Sequence, residues 1–253
     1  MADPRSQLAL DRRATLGLLG LGGAALASCG SGAKAAAACL ASPGETRGPF
    51  AADGGRDAGG RLNILETDGV IRSDIRGSFA GMTGMADGVP LDLEIVLVGV
   101  AGGCNLMADW AVYLWQNDAA GDYSLYDLPQ ANYLRGLQQS DAAGMVRFQT
   151  ILPGCYGGRA PHIHFEVFSS AQAAVSGEPA VLASQFALPE DACRAVYAAD
   201  ARYGGSRQNL ARWSNERDFV FRDAEGEMRD LQTIALEGAG SGFRGTARVG
   251  INA

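Results

Sequence analysis

The sequence predicts an all-β fold: a β-sandwich core with long loops and one short helix. Three observations predict it. Apolar runs of strand length recur along the chain, turns rich in glycine separate them (35 of 253 residues), and a single segment carries helix signals. The clearest strand is residues 91–98, where Leu91, Leu93, Ile95 and Leu97 alternate with Asp92, Glu94, Val96 and Val98, giving one apolar face. Further strands are expected at 110–116, 146–151, 162–168, 181–186, 219–222, 231–236 and 243–249. The helix is expected at 190–199, opened by Pro189. Residues 51–62, rich in Gly and Asp, read as a loop, and many short strands with such turns indicate a sandwich.

The chain divides into residues 1–28, 29–38 and 39–253. The first segment reads as an export signal: Arg12-Arg13 precedes a mildly apolar, Gly-rich run at 16–27 that is too short for an ordinary membrane span. Weakly hydrophobic, Gly-rich cores are usual in twin-arginine signals, which export folded proteins; an ordinary secretory signal is the alternative. Leu26-Ala27-Ser28-Cys29 resembles a bacterial lipobox, which would make Cys29 a lipid anchor, and Ala25-Leu26-Ala27 is the competing cleavage site. Residues 30–38 suit a flexible tether. A periplasmic or cell-surface location is therefore expected. The remaining roughly 215 residues are ample for one core.

Removing residues 1–28 deletes three arginines and two aspartates, so the net charge moves from −7 to −8. That acidic balance argues against nucleic acid as a partner. Four cysteines remain beyond Cys29: Cys39, Cys104, Cys155 and Cys193. An oxidising compartment permits any of three full pairings, and a bridge at Cys155 would stiffen the loop around Tyr156. There is no internal repeat, coiled-coil heptad, Walker motif or dinucleotide motif, and Gly136, Gly154 and Gly157 read as turn formers.

The chain has two histidines, His162 and His164, in Arg159-Ala160-Pro161-His162-Ile163-His164-Phe165-Glu166-Val167-Phe168. On a strand both project from one face, with Cα atoms roughly 6.6 Å apart, so both imidazoles can reach one metal ion. Three-histidine sites are excluded by count, and the cysteines show no CxxC spacing. Glu166 shares the face, but it lies roughly 13 Å along the strand from His162 with His164 between them. It reads as a residue behind the ligands or facing solvent.

The better candidates for the remaining ligands are Tyr156, in the turn 153–159, and Tyr123, in the turn 118–123 after a strand-like run. A phenol becomes an anionic ligand only beside a strong Lewis acid, and phenolate suits a hard trivalent ion, here Fe(III).

Val112-Tyr113-Leu114-Trp115-Gln116-Asn117-Asp118-Ala119-Ala120-Gly121-Asp122-Tyr123, then Leu134-Arg135-Gly136-Leu137-Gln138, then residues 152–165 together resemble the intradiol ring-cleavage dioxygenases. The likeness in order and spacing runs over roughly residues 40–225. It implies Fe(III) held by Tyr123, Tyr156, His162 and His164 plus a hydroxide, with Tyr123 and His162 equatorial and Tyr156 and His164 axial. It implies cleavage of a catechol by O2 to a cis,cis-muconate-type product, with Tyr156 leaving the metal to accept a catechol proton. It also implies that Arg159 sits beside the bound ring and that Gln185 lies near the oxygen pocket. Two departures bear on substrate. Gly48-Pro49-Phe50-Ala51 stands where the family usually has Gly-Pro-Tyr-Tyr, so a pocket hydroxyl is missing, and Gly158 replaces a residue that is often bulky. Trp115 reads as a packing residue. The pattern selects neither one catechol nor an oligomeric state.

A reading from a different class is a lipid-anchored β-sandwich that binds an aromatic or carbohydrate ligand without turnover, since sandwiches host many functions. Four intact candidate ligands favour catalysis over binding alone.

Overall fold

Alternation builds the longest strands. In the computed structural model, which describes residues 39–55 and 61–253, strand β1 (Pro90–Gly99) buries Leu91, Leu93, Ile95 and Leu97 and leaves Asp92 exposed. The expected signal, tether and Cys29 lie outside the described residues. The other strands are β2 (Asn105–Leu106), β3 (Ala111–Trp115), β4 (Arg135–Gln139), β5 (Met145–Ile151), β6 (His162–Phe168), β7 (Leu182–Ala187), β8 (Ala235–Ala239) and β9 (Gly242–Ile251). One sheet runs β2-β1-β9-β8, with β5 also paired to β1. It is mixed, because β1 and β9 are parallel. The other runs β4-β3-β6-β7 and is antiparallel throughout.

The inner faces of the two sheets close one core. Leu91, Leu93, Ile95, Val146 and Phe148 from the first sheet pack with Val112, Leu114, Ile163, Phe165, Val167 and Phe186 from the second. Phe165 and Phe186 stack at 4.3 Å between ring centroids. Each such side chain contributes about 1.5–3 kcal/mol through burial. A second cluster covers the outer face of the four-stranded sheet. There Ala51, Ala52, Ile64, Leu65 and Val70 from the N-terminal arm pack on Tyr113, Trp115 and Tyr123. Consequently β6 is buried on both faces, along all of His162–Phe168.

The helix content exceeds the expected single helix. Besides α2 (Glu190–Ala199), which matches expectation, the chain forms α1 (Ala171–Val175), α3 (Ser206–Leu210) and α4 (Gly226–Gln232). The helices α1 and α3 have five residues each, too few for a 3.6-residue period to register. Local bonding sets α1 instead, where the Ser170 side chain accepts from the Ala173 N–H. The expected strand at 219–222 is a run of turns, because Asp218 accepts the Val220 N–H with its side chain and the Phe221 and Arg222 N–H groups with its carbonyl. The expected strand at 231–236 is the end of α4 followed by the start of β8.

The disulfide joins Cys39 to Cys104, while Cys155 and Cys193 are buried free thiols. The bridge considered at Cys155 is therefore absent. The Tyr156 loop is held by hydrogen bonds instead.

Candidate metal centre

Strand β6 brings both histidines to the outer face of the four-stranded sheet. Trp115 on β3 stands opposite His164, and Tyr113 stands opposite Glu166. Trp115 packs as expected, but its contact is specific: its ring lies 4.9 Å from that of His164 and only 6° from coplanar. From the N-terminal arm, a Cβ on Gly48 would come within 3.1 Å of His164 Cε1, and Gly48 has φ +71. Glycine is needed there on both counts.

Two loops deliver the tyrosines. The Asp118 carboxylate accepts the N–H groups of Ala120, Gly121 and Asp122, which closes the turn ahead of Tyr123. Tyr123 is fully buried, with Phe50 stacked on its ring at 4.6 Å. Tyr156 is partly exposed, in a loop pinned from the helical side. Ser206 Oγ accepts the Cys155 N–H at 2.9 Å, Asn209 Nδ2 donates to the Cys155 carbonyl at 2.8 Å, and Tyr197 donates to the Pro153 carbonyl at 2.7 Å.

The four polar side chains expected at the site converge. His162 Nδ1 donates to the Ala160 carbonyl at 2.6 Å, which leaves the Nε2 lone pair facing inward. Around that one lone pair stand His164 Nε2 at 3.0 Å, Tyr156 Oη at 3.3 Å, Arg159 Nη1 at 3.3 Å and Tyr123 Oη at 3.5 Å. A neutral imidazole nitrogen has one acceptor site, so hydrogen bonding alone cannot satisfy this crowd. His164 Nδ1, also buried, has no hydrogen-bond partner among the described residues. Among the described residues no three His, Cys, Asp or Glu side chains cluster as a metal site would require. Beside the two histidines, the side-chain oxygens that approach His162 Nε2 are those of Tyr123 and Tyr156. Two imidazoles and two phenol oxygens fit a hard trivalent ion such as Fe(III).

Burial sets the protonation states. Desolvation, reinforced by the Arg159 charge, pushes His162 down to about 3, and desolvation with the neighbouring His162 holds His164 well below its ordinary value. Both imidazoles are thus neutral, the form that ligates. Desolvation and the adjacent Tyr156 hold the Tyr123 phenol well above 10. Desolvation also raises Tyr156, opposed by the Arg159 charge. A cation of high charge is what would draw these protons off.

Arg159 and Gln185 sit together beside the histidines. Gln185 lies opposite His164 in the β6–β7 register. Its Oε1 accepts from Arg159 Nη2 at 2.6 Å, and its Nε2 donates to the Thr46 carbonyl at 2.7 Å. Arg159 Nε pairs with Asp218 Oδ2 at 2.8 Å. Asp218 was invisible in the sequence, where it stands immediately before the run 219–222 that reads as a strand. Glu166 is buried rather than facing solvent, because the arm covers its face. Desolvation and the neighbouring Asp53 raise its carboxyl to about 8.

No protein-family model matches the chain, and no curated protein matches it in sequence. Solved structures do. An intradiol ring-cleavage dioxygenase from Tetranychus urticae aligns with a TM-score of 0.62 at 24% identity, covering 85% of this chain and 95% of that one. The chain has the fold of the intradiol ring-cleavage dioxygenases. The dioxygenase domain of a dioxygenase–carbohydrate-binding protein fusion from Streptomyces sp. SirexAA-E aligns with a TM-score of 0.52 at 22% identity, covering 85% of this chain and 99% of that domain. On that fold the Tyr–His cluster is consistent with an intradiol-type Fe(III) site.

Proposed function

We propose that the protein is a non-haem Fe(III) dioxygenase that cleaves a catechol between its two hydroxyl-bearing carbons, using O2, to a cis,cis-muconate-type product. One observation carries this: Tyr123 Oη, Tyr156 Oη and His164 Nε2 all lie within 3.5 Å of His162 Nε2. Tyr123, Tyr156, His162 and His164 would hold the metal. Bound there, ferric iron would supply Lewis acidity toward a catecholate.

The chain's own groups divide the remaining work. Tyr156 is the more exposed of the two tyrosines, and beside it Gly157 and Gly158 leave open space where a Cβ would stand. As a phenolate, Tyr156 Oη would therefore be the group placed to accept a catechol proton. Tyr123, locked under Phe50, stays in place. Arg159 presents a fixed cation toward charge developing on the ring, and Gln185 holds one end of the guanidinium. Phe50, stacked on Tyr123, offers an apolar ring where the family usually offers a hydroxyl. The Cys39–Cys104 disulfide supports export to an oxidising compartment, with the twin-arginine signal and Cys29 lipidation as the proposed route and anchor.

Oxygen uptake by the iron-loaded protein tests the activity against catechol, protocatechuate and hydroxyquinol. Uptake coupled to loss of the aromatic ring is expected with at least one. No uptake with any of them at full iron occupancy would contradict the proposal.

A further inference from the structure

We propose that Asp218 is a positioning residue: one buried carboxylate fixes both the Arg159 guanidinium and the backbone that orients His162. This rests on the dioxygenase function proposed above. Asp218 is 1% exposed and stands 59 positions from Arg159 in sequence. Its Oδ2 accepts Arg159 Nε at 2.8 Å and the Ala160 N–H at 2.7 Å, while Oδ1 accepts the Val220 N–H at 2.9 Å. Both bonds at Oδ2 are charge-assisted, the stronger kind.

Each bond has a consequence at the site. The guanidinium is shared among three partners, with Nε on Asp218, Nη2 on Gln185 and Nη1 toward His162 Nε2. With two nitrogens claimed by Asp218 and Gln185, the third can point only toward the candidate metal ligands. Phe219, next in sequence to Asp218, lies 4.8 Å from Arg159 Cζ and shields the charge from water. At Ala160 the N–H goes to Asp218, while the carbonyl of the same residue takes the His162 Nδ1 proton at 2.6 Å. Asp218 thereby anchors the residue that selects the His162 tautomer, as partners behind metal-ligating histidines do.

The test uses Asp218→Asn, Arg159→Ala and the double variant, all iron-loaded. Asp218→Asn keeps the four candidate ligands, so its charge-transfer absorption should persist while kcat per iron falls roughly tenfold or more, the usual weight of a charge-assisted hydrogen bond. The double variant should lose less than the product of the two single losses, because Asp218 acts partly through Arg159 and partly through the Ala160 backbone. A merely structural role would lower the melting temperature and leave kcat per iron unchanged, which overturns the proposal. So would additive losses in the double variant. If Asp218→Asn does not fold, Asp218→Glu retains the charge and should give an intermediate kcat, and wild-type kcat in that variant also overturns it. Exchange of the Arg159 Nε–H with water, followed by NMR in metal-free protein, gives a readout independent of turnover. Slow exchange in wild type and fast exchange in Asp218→Asn support the assignment, and equal rates refute it. Should wild type show neither absorption nor turnover, the dioxygenase function fails, and this exchange measurement still decides the role of Asp218.

Discussion

Replacing Glu166 with glutamine should change how stability depends on pH. Glu166 is 3% exposed, its Oε2 has no hydrogen-bond partner among the described residues, and its carboxyl hydrogen-bonds the Asp53 side chain. Desolvation, then the charge of Asp53, moves its pKa from 4.5 to about 8, with Arg47 opposing. Between those two values the folded protein keeps a proton that the unfolded chain releases. Raising the pH therefore favours unfolding, and stability present near pH 4.5 is lost by pH 8. A shift of this size corresponds to a loss on the order of 3–5 kcal/mol. The glutamine variant has no proton to lose, and its amide can still donate to Asp53. Relative to wild type it should gain on the order of 10 °C in melting temperature between pH 5 and pH 9. Calorimetry of the metal-free proteins across that range reads the difference directly. Parallel pH profiles for the two proteins would refute the assignment of a protonated buried carboxyl.

Other perturbations have equally definite outcomes. Tyr156→Phe should retain iron and the absorption due to Tyr123, yet lose turnover by about 10²-fold or more, since the group that takes the catechol proton is gone; steady-state kinetics with matched iron content checks this. Breaking the Cys39–Cys104 bridge by serine substitution at both positions opens a loop spanning 65 positions. That should cost about 4 kcal/mol, read as a melting temperature lower by on the order of 10 °C, with little change in the absorption spectrum.

Much of the site is written locally, and its support is not. His162 and His164 are legible because a strand's period of two puts alternate residues on one face, which needs only the sequence of β6. Tyr123 and Tyr156 are legible as candidates because phenolate is a hard donor suited to a trivalent ion and because their turns resemble those of a known family. The same period of two gives the direction of Glu166 but not what covers it. The covering arm, with Ala51 and Ala52, comes from more than a hundred residues earlier. Asp218, Ser206 and Asn209 act across 59, 51 and 54 positions. They sit in turns and short helices that carry no periodic signal. The sandwich is legible because its long strands alternate, whereas the turns at 219–222 are set by the Asp218 side chain and α3 is held by hydrogen bonds to the Tyr156 loop.

The central claim is that Tyr123 and Tyr156 join the two histidines around ferric iron. A visible absorption spectrum of the iron-loaded protein, taken before and after anaerobic addition of catechol, tests it most directly. A red tyrosinate-to-Fe(III) charge-transfer band is predicted, shifting with catechol and weakening in Tyr123→Phe. A colourless protein at full iron occupancy would contradict it, for then neither tyrosine is a ligand.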